Sequence, residues 1–136
     1  MKHAMLLGLL SVLLLSCTPE ALAPADLLGS WVAVSQEGIG KDADGNKVRL
    51  HLTFKDERLC NGQLACNSLL GSYLADEQGN LEFDHMSITT LYCGINDWER
   101  ETSRSMMNTN RYEFSRGNLI LSNDSLGIWI RLAPDL

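Results

Sequence analysis

Four cysteines carry the widest chemical repertoire in this chain of 136 residues: Cys17, Cys60, Cys66 and Cys93. Thiolates ligate zinc, exchange disulfides or attack carbonyls, and spacing decides among these chemistries. A structural zinc site wants two close pairs of nitrogen or sulfur ligands. Here Cys60 and Cys66 are six positions apart, Cys93 is distant and His85 is the nearest histidine. That spacing matches no usual zinc module. Cys-x-x-Cys is absent, so a thioredoxin-like redox pair is not expected either. In an oxidising compartment cysteines pair, and an odd number would leave one free.

Two other groupings invite a chemical reading. Asp84-His85 with Ser87 has the residue types of a hydrolytic triad. Adjacent residues on a strand point to opposite faces, and a triad is recognised by geometry rather than by nearness in sequence, so no catalytic residue is expected. Asp42, Asp44 and Asn46 fall at the first three ligand positions of a calcium loop. The glycine required at position 6 is Lys47 and the glutamate required at position 12 is Thr53. The stretch is expected to be a turn around Gly45, and neither a metal nor another cofactor is expected.

The elements that must position these residues begin after a leader. Met1-Lys2-His3 is a basic start, Ala4 to Leu15 carries no charge, and Ser16-Cys17 ends the run. These are the parts of an export signal, and the run is shorter than the roughly 20 residues of a spanning helix. Leu14-Leu15-Ser16-Cys17 resembles the lipobox of bacterial lipoproteins, which implies a signal peptide over 1–16 and acylation of Cys17. Thr18 follows, not the aspartate associated with inner-membrane retention, so the resemblance implies the periplasmic face of the outer membrane; a soluble periplasmic protein is the alternative. Residues 17–26, with Pro19 and Pro24, are expected to form a tether, and 27–136 a single domain. The formal net charge of −6 argues against a nucleic-acid partner. The expected partners are the membrane, through acyl chains, and an envelope protein or small ligand.

Within 27–136 the apolar residues alternate as in strands. Val48, Leu50, Leu52 and Phe54 keep strict period two with His51 on the wet face. Trp31, Tyr73, Leu81-x-Phe83 and Met86 through Cys93 continue the β pattern, and Tyr112, Leu119, Leu121, Ile128 and Ile130 mark three further strands. Gly62 predicts a bulge or a close backbone approach. One helix is expected over 97–108, capped by Asp97, with Trp98, Thr102, Ser105 and Met106 on its inner face. The fold class is therefore mainly β: a small antiparallel, lipocalin-like barrel or curved sheet of about eight strands with one α-helix. Trp31, Phe54, Phe83 and Trp129 are the expected interior side chains.

Ala65-Cys66-Asn67-x-x-x-Gly71-x-Tyr73, Leu81-x-Phe83, Thr89-x-x-x-Cys93, then Glu99 or Glu101 opening a helix and a closing Leu119-x-Leu121 resemble the META domain of HslJ-like bacterial lipoproteins. The resemblance covers about 27–132. It implies a small barrel-like β fold and a Cys66–Cys93 disulfide, leaving Cys60 as the free thiol. Such a link would close about 27 residues and contribute roughly 3–4 kcal/mol in the chain-entropy model. The family pattern commonly has arginines where this chain has Ser68 and Thr90, so a role resting on them is not carried over. Asn67, Gly71, Tyr73 and Thr89 match. The implied role is non-enzymatic, in the envelope or in stress tolerance, through protein or ligand binding; the alternative is a carrier of a small apolar ligand.

Overall fold

A computed structural model describes residues 23–136. The expected signal peptide over 1–16, Cys17 and the expected tether up to residue 22 lie outside the described residues. The described chain runs β1 (Gly29–Ala33), β2 (Ile39–Lys41), β3 (Lys47–Arg49), β4 (His51–Phe54), β5 (Leu59–Gln63), β6 (Ser68–Ala75), β7 (Leu81–Ile88), α1 (Asn96–Met107), β8 (Arg111–Ser115), β9 (Asn118–Asn123) and β10 (Ile128–Pro134). Eight strands form one antiparallel sheet in the order β7-β6-β5-β4-β1-β10-β9-β8, and β2 with β3 make a separate ribbon. The sheet curls strongly into a half-barrel with one α-helix. Its two edge strands approach at one end, where Asn80 bridges Arg111.

The period-two segment from Val48 to Phe54 is not one strand. It breaks at Leu50, whose N–H donates to the Gly38 carbonyl while its own carbonyl accepts from Ala33. The chain changes partner there, from β2 to β1 and β5, without losing alternation. Gly62 is a close-approach glycine: a Cβ there would stand 2.9 Å from the His51 carbonyl oxygen.

Trp31, Leu52, Phe54, Leu69, Tyr73, Leu121, Ile130 and Leu132 are buried in one continuous core. The Trp31 indole N–H donates to the Leu27 carbonyl at 3.0 Å, so this large ring is buried with its one polar atom satisfied. Phe54 meets Tyr73 edge-on at 4.9 Å between ring centroids. Trp129 departs from expectation: it lies on the outer face, 40% exposed, with Arg131 over its ring. Its strand neighbours Ile128 and Ile130 take the inward positions, as alternation requires.

Helix α1 spans nearly the predicted range, but Asp97 does not cap it. The N-cap position is Ile95, with no side-chain cap bond, and the Asp97 carboxylate instead accepts from Arg100 at 2.7 Å. Trp98 packs flat against Gly40, where a Cβ would come within 2.7 Å of the ring. No helix among the described residues is long and apolar enough to cross a membrane.

Candidate functional site

The β pattern expected to run through Cys93 ends at Ile88, and the reason is a single side chain. Asn67, in the loop between β5 and β6, accepts from the Leu91 N–H at 2.7 Å and donates to the Leu91 carbonyl at 3.0 Å. It thus occupies both backbone groups that a neighbouring strand would have used. Its amide oxygen also accepts from the Thr89 hydroxyl at 2.8 Å. Thr89 in turn accepts from the Ser68 N–H. Asn96 closes the loop from the helix side, donating to the Leu91 carbonyl at 2.8 Å and accepting from the Cys93 N–H at 3.2 Å.

The remaining Asn67 amide proton donates to Glu99 Oε2 at 2.6 Å. Glu99 comes from the first turn of α1 and is 1% exposed. Its Oε1 accepts from the backbone N–H groups of Cys66 and Asn67 at 2.7 and 2.9 Å. Its Oε2 also accepts from the Cys93 thiol at 3.8 Å. Burial alone would raise this carboxyl, but the Asn67 and Cys66 N–H groups, the Asn67 amide and the Cys93 thiol more than offset it, and the pKa is lowered. A buried carboxylate with four donors is an ionised clamp between two loops.

The clamp gathers Cys66, Asn67, Thr89 and Cys93 and selects Glu99 over Glu101, whose side chain is exposed. No disulfide is seen between Cys66 and Cys93, the pair implied by the resemblance; both carry free thiols in this structure. The Cys93 thiol is pushed up to about 11, by its interaction with Cys66, by desolvation and by the nearby Glu99 charge. Cys60 is buried on the inner side of β5, away from the clamp, and burial pushes its thiol up to about 12.

Gly71 and Tyr73 stand outside the clamp and shape the sheet. A Cβ on Gly71 would meet the Met86 Cα at 2.8 Å and the His85 carbonyl at 2.9 Å, across a register shift between Leu70 and Ser72. Tyr73 is buried, and its hydroxyl donates to the Lys55 carbonyl at 3.1 Å. The same bulge overturns the expected separation of Asp84 and His85. His85 takes φ 49°, breaks the alternation, and its Nδ1 meets Asp84 Oδ2 at 2.7 Å. That pair is exposed on the sheet edge. The calcium-like loop is a turn: Asp42 accepts from the Asp44 and Asn46 N–H groups and from the Asn46 amide.

Beside the clamp, a groove of about 550 Å³ opens between the segment 88–92 and α1. Ile88, Leu91 and Tyr92 form one wall and Arg100 and Ser103 the other, with Asn67 and Glu99 also among its lining residues. Leu91 and Tyr92 are 60% and 90% exposed. Nothing in the composition signalled the clamp beyond the family pattern, because Glu99 reads as one charge among several on a surface helix.

Fold and site together define a small mainly-β domain in which a helix carboxylate ties two sheet loops. The chain belongs to the META domain family, whose model matches residues 25–134. No curated protein sequence matches it. The fold is similar to that of a DUF4847 family protein from Bacteroides vulgatus, at TM-score 0.60 and 15% identity, covering 82% of this chain and 95% of that one. It is also similar to a protein from Burkholderia xenovorans, at TM-score 0.54 and 20% identity, covering 80% and 83%.

Proposed function

We propose that this META domain is a lipid-anchored protein of the outer membrane, periplasmic face, with a non-enzymatic role: it docks an envelope protein through Leu91 and Tyr92 and the groove beside them. The observation that carries the reading is a mismatch between backbone and side chains in one loop. The backbone of Leu91 is fixed by Asn67 and Asn96, yet the side chains of Leu91 and Tyr92 stand in solvent. An apolar pair held outward on a rigid base loses little entropy on association, which favours binding, and tyrosine is enriched among residues that dominate interfaces. Anchoring rests on the Leu14-Leu15-Ser16-Cys17 sequence; several acyl chains on one residue hold a protein to a bilayer where one chain would not.

A photocrosslinking residue placed at Tyr92 in intact cells tests this. The expected result is a discrete adduct that Leu91→Ala abolishes, with none formed from the equally exposed edge residue His85. Equal yields from both positions would sink the docking reading. Cys17→Ala is expected to move the protein from the membrane fraction to the soluble periplasm; unchanged fractionation would sink the anchor.

A further inference from the structure

The segment from Ile88 to Tyr92 carries one row of backbone groups that the fold uses and one that it leaves open. β7 is the outermost strand on its side of the sheet and pairs with β6. Its other edge meets β8 at the start, where Asn80 bridges Arg111 and the Leu81 N–H donates to the Asn110 carbonyl. Beyond that point come Glu82, Asp84 and the left-handed His85; charges and a bulge keep a strand edge from pairing. Residues 88–92 read Ile-Thr-Thr-Leu-Tyr, with no charge and no proline. The Thr89 N–H donates to the Ser68 carbonyl, and Leu91 gives both its N–H and its carbonyl to Asn67. All of these face the β6 side. An extended chain turns the backbone groups of successive residues to opposite edges, so those of Ile88, Thr90 and Tyr92 face away from β6. Among the described residues, Thr90 and Tyr92 make no backbone hydrogen bond. The groove of about 550 Å³ separates this segment from α1. A strand edge thus looks across a groove at a helix, and Asn67 holds that edge extended.

We infer that this edge takes an extended peptide segment as an added strand, which pairs with the backbone of Ile88, Thr90 and Tyr92 and rests side chains on Leu91 and Tyr92. The added strand gives the partner its chemistry, and its role in the cell rests on the docking reading above. Backbone donors and acceptors that repeat at every second residue are met by an extended polypeptide; an acyl chain has neither. The edge from 88 to 92 covers about 16 Å, the length of a five-residue stretch. The place where the chain enters the domain narrows the source of that stretch. Pro24, Ala25 and Asp26 share a groove with Glu77, Gln78 and Gly79, in the turn after the Ala75 end of β6, whereas Leu91 is held beside the Ser68 end. The eight residues of β6 alone cover about 26 Å. The segment 17–22 reaches at most about 22 Å, so it does not fold back into the edge, and a domain anchored through it presents the edge away from the bilayer. The occupant is therefore an extended segment of a periplasmic partner, not this chain's own tether and not the membrane.

Full-length lipidated protein in detergent micelles is panned against random peptides displayed on phage, and the enriched peptide is synthesised plain and with single backbone N-methyl groups. Amide exchange in the protein is followed residue by residue by NMR, with and without that peptide. In the free protein the Leu91 amide, bonded to Asn67, is expected to exchange at least about tenfold more slowly than those of Thr90 and Tyr92. Peptide binding is expected to slow Thr90 and Tyr92 by at least about tenfold and to leave Leu91 unchanged. N-methylation at every second peptide position is expected to weaken binding by at least about tenfold, the effect of one lost hydrogen bond, with the positions between tolerated. A library that enriches nothing overturns the added strand. So does a bound peptide that leaves Thr90 and Tyr92 exchange unaltered, or sensitivity to N-methylation that does not alternate. A discrete Tyr92 adduct in cells without a strand-like peptide keeps the docking and removes the added strand. Strand-like binding without a specific adduct in cells keeps the edge and removes the docking.

Discussion

Glu99 accepts four hydrogen bonds at the site, and substitution should show it. In Glu99→Gln one acceptor oxygen becomes a donor facing the Asn67 amide, and Asn67 cannot turn over because its oxygen already serves Leu91 and Thr89. The expected cost is about 1–3 kcal/mol, that of a buried donor left without an acceptor. Glu99→Ala abandons the N–H groups of Cys66 and Asn67 as well and should cost at least about 3 kcal/mol. The charge gives these effects a pH signature. The folded pKa lies below the unfolded value, so this stabilisation is full above the unfolded carboxyl pKa of about 4.3 and is lost as pH falls through the lower folded value. The urea midpoints of native protein and Glu99→Gln should therefore differ most at pH 7, and the difference should shrink as pH falls below about 4.3. Asp42 and Asp76, also lowered by their turn hydrogen bonds, titrate in both proteins and cancel. A gap that stays constant with pH would mean Glu99 is not ionised in the fold.

At the scale of elements, strands were legible wherever alternation met burial, as in β4, β9 and β10. They were illegible where one side chain or one bulge intervened. Leu91-Tyr92 has strand-forming residue types, and only the Asn67 amide, 24 positions away from Leu91, converts it to a held-out loop. Asp84 and His85 are adjacent residues that share one side of the edge because the bulge inserts a left-handed residue between regular ones. The family pattern marked the bulge as Gly71 without giving its reason, which is the approach of the β7 backbone. Gly71→Ala should therefore destabilise by about 1–3 kcal/mol, since a Cβ there would strike the Met86 Cα and the His85 carbonyl, not only a movable side-chain end. The Asp84–His85 contact should loosen with it, read as a change in the His85 ring shifts by NMR. A folded variant with unaltered stability and unaltered His85 shifts would assign the bulge to something other than the glycine.

The whole molecule is a half-barrel whose edges meet at one end, and a repeated turn tests how much that meeting contributes. Asp42-x-x-Gly45-Asn46 and Asp76-x-x-Gly79-Asn80 are the same turn: each Asp accepts from the N–H groups two and four residues on and from the amide of its Asn. Gly45 and Gly79 have φ 83° and 85°. Their surroundings differ. A Cβ on Gly45 would meet nothing within 4 Å, whereas one on Gly79 would stand 2.8 Å from the Tyr112 carbonyl of β8. The Gly79 carbonyl also accepts from the Tyr112 N–H at 2.9 Å, and the Leu81 N–H donates to Asn110 at 3.1 Å. Gly45→Ala should thus cost only the left-handed backbone conformation, about 1–2 kcal/mol. Gly79→Ala should cost that and the closure of the sheet, about 1–3 kcal/mol more, at one to two extra lost hydrogen bonds. Urea unfolding of both variants separates the two contributions, because the turn is common and only the β7–β8 meeting differs. Equal costs would mean that the edges touch without holding the half-barrel together, and that its curl is set by the strand register and the core alone.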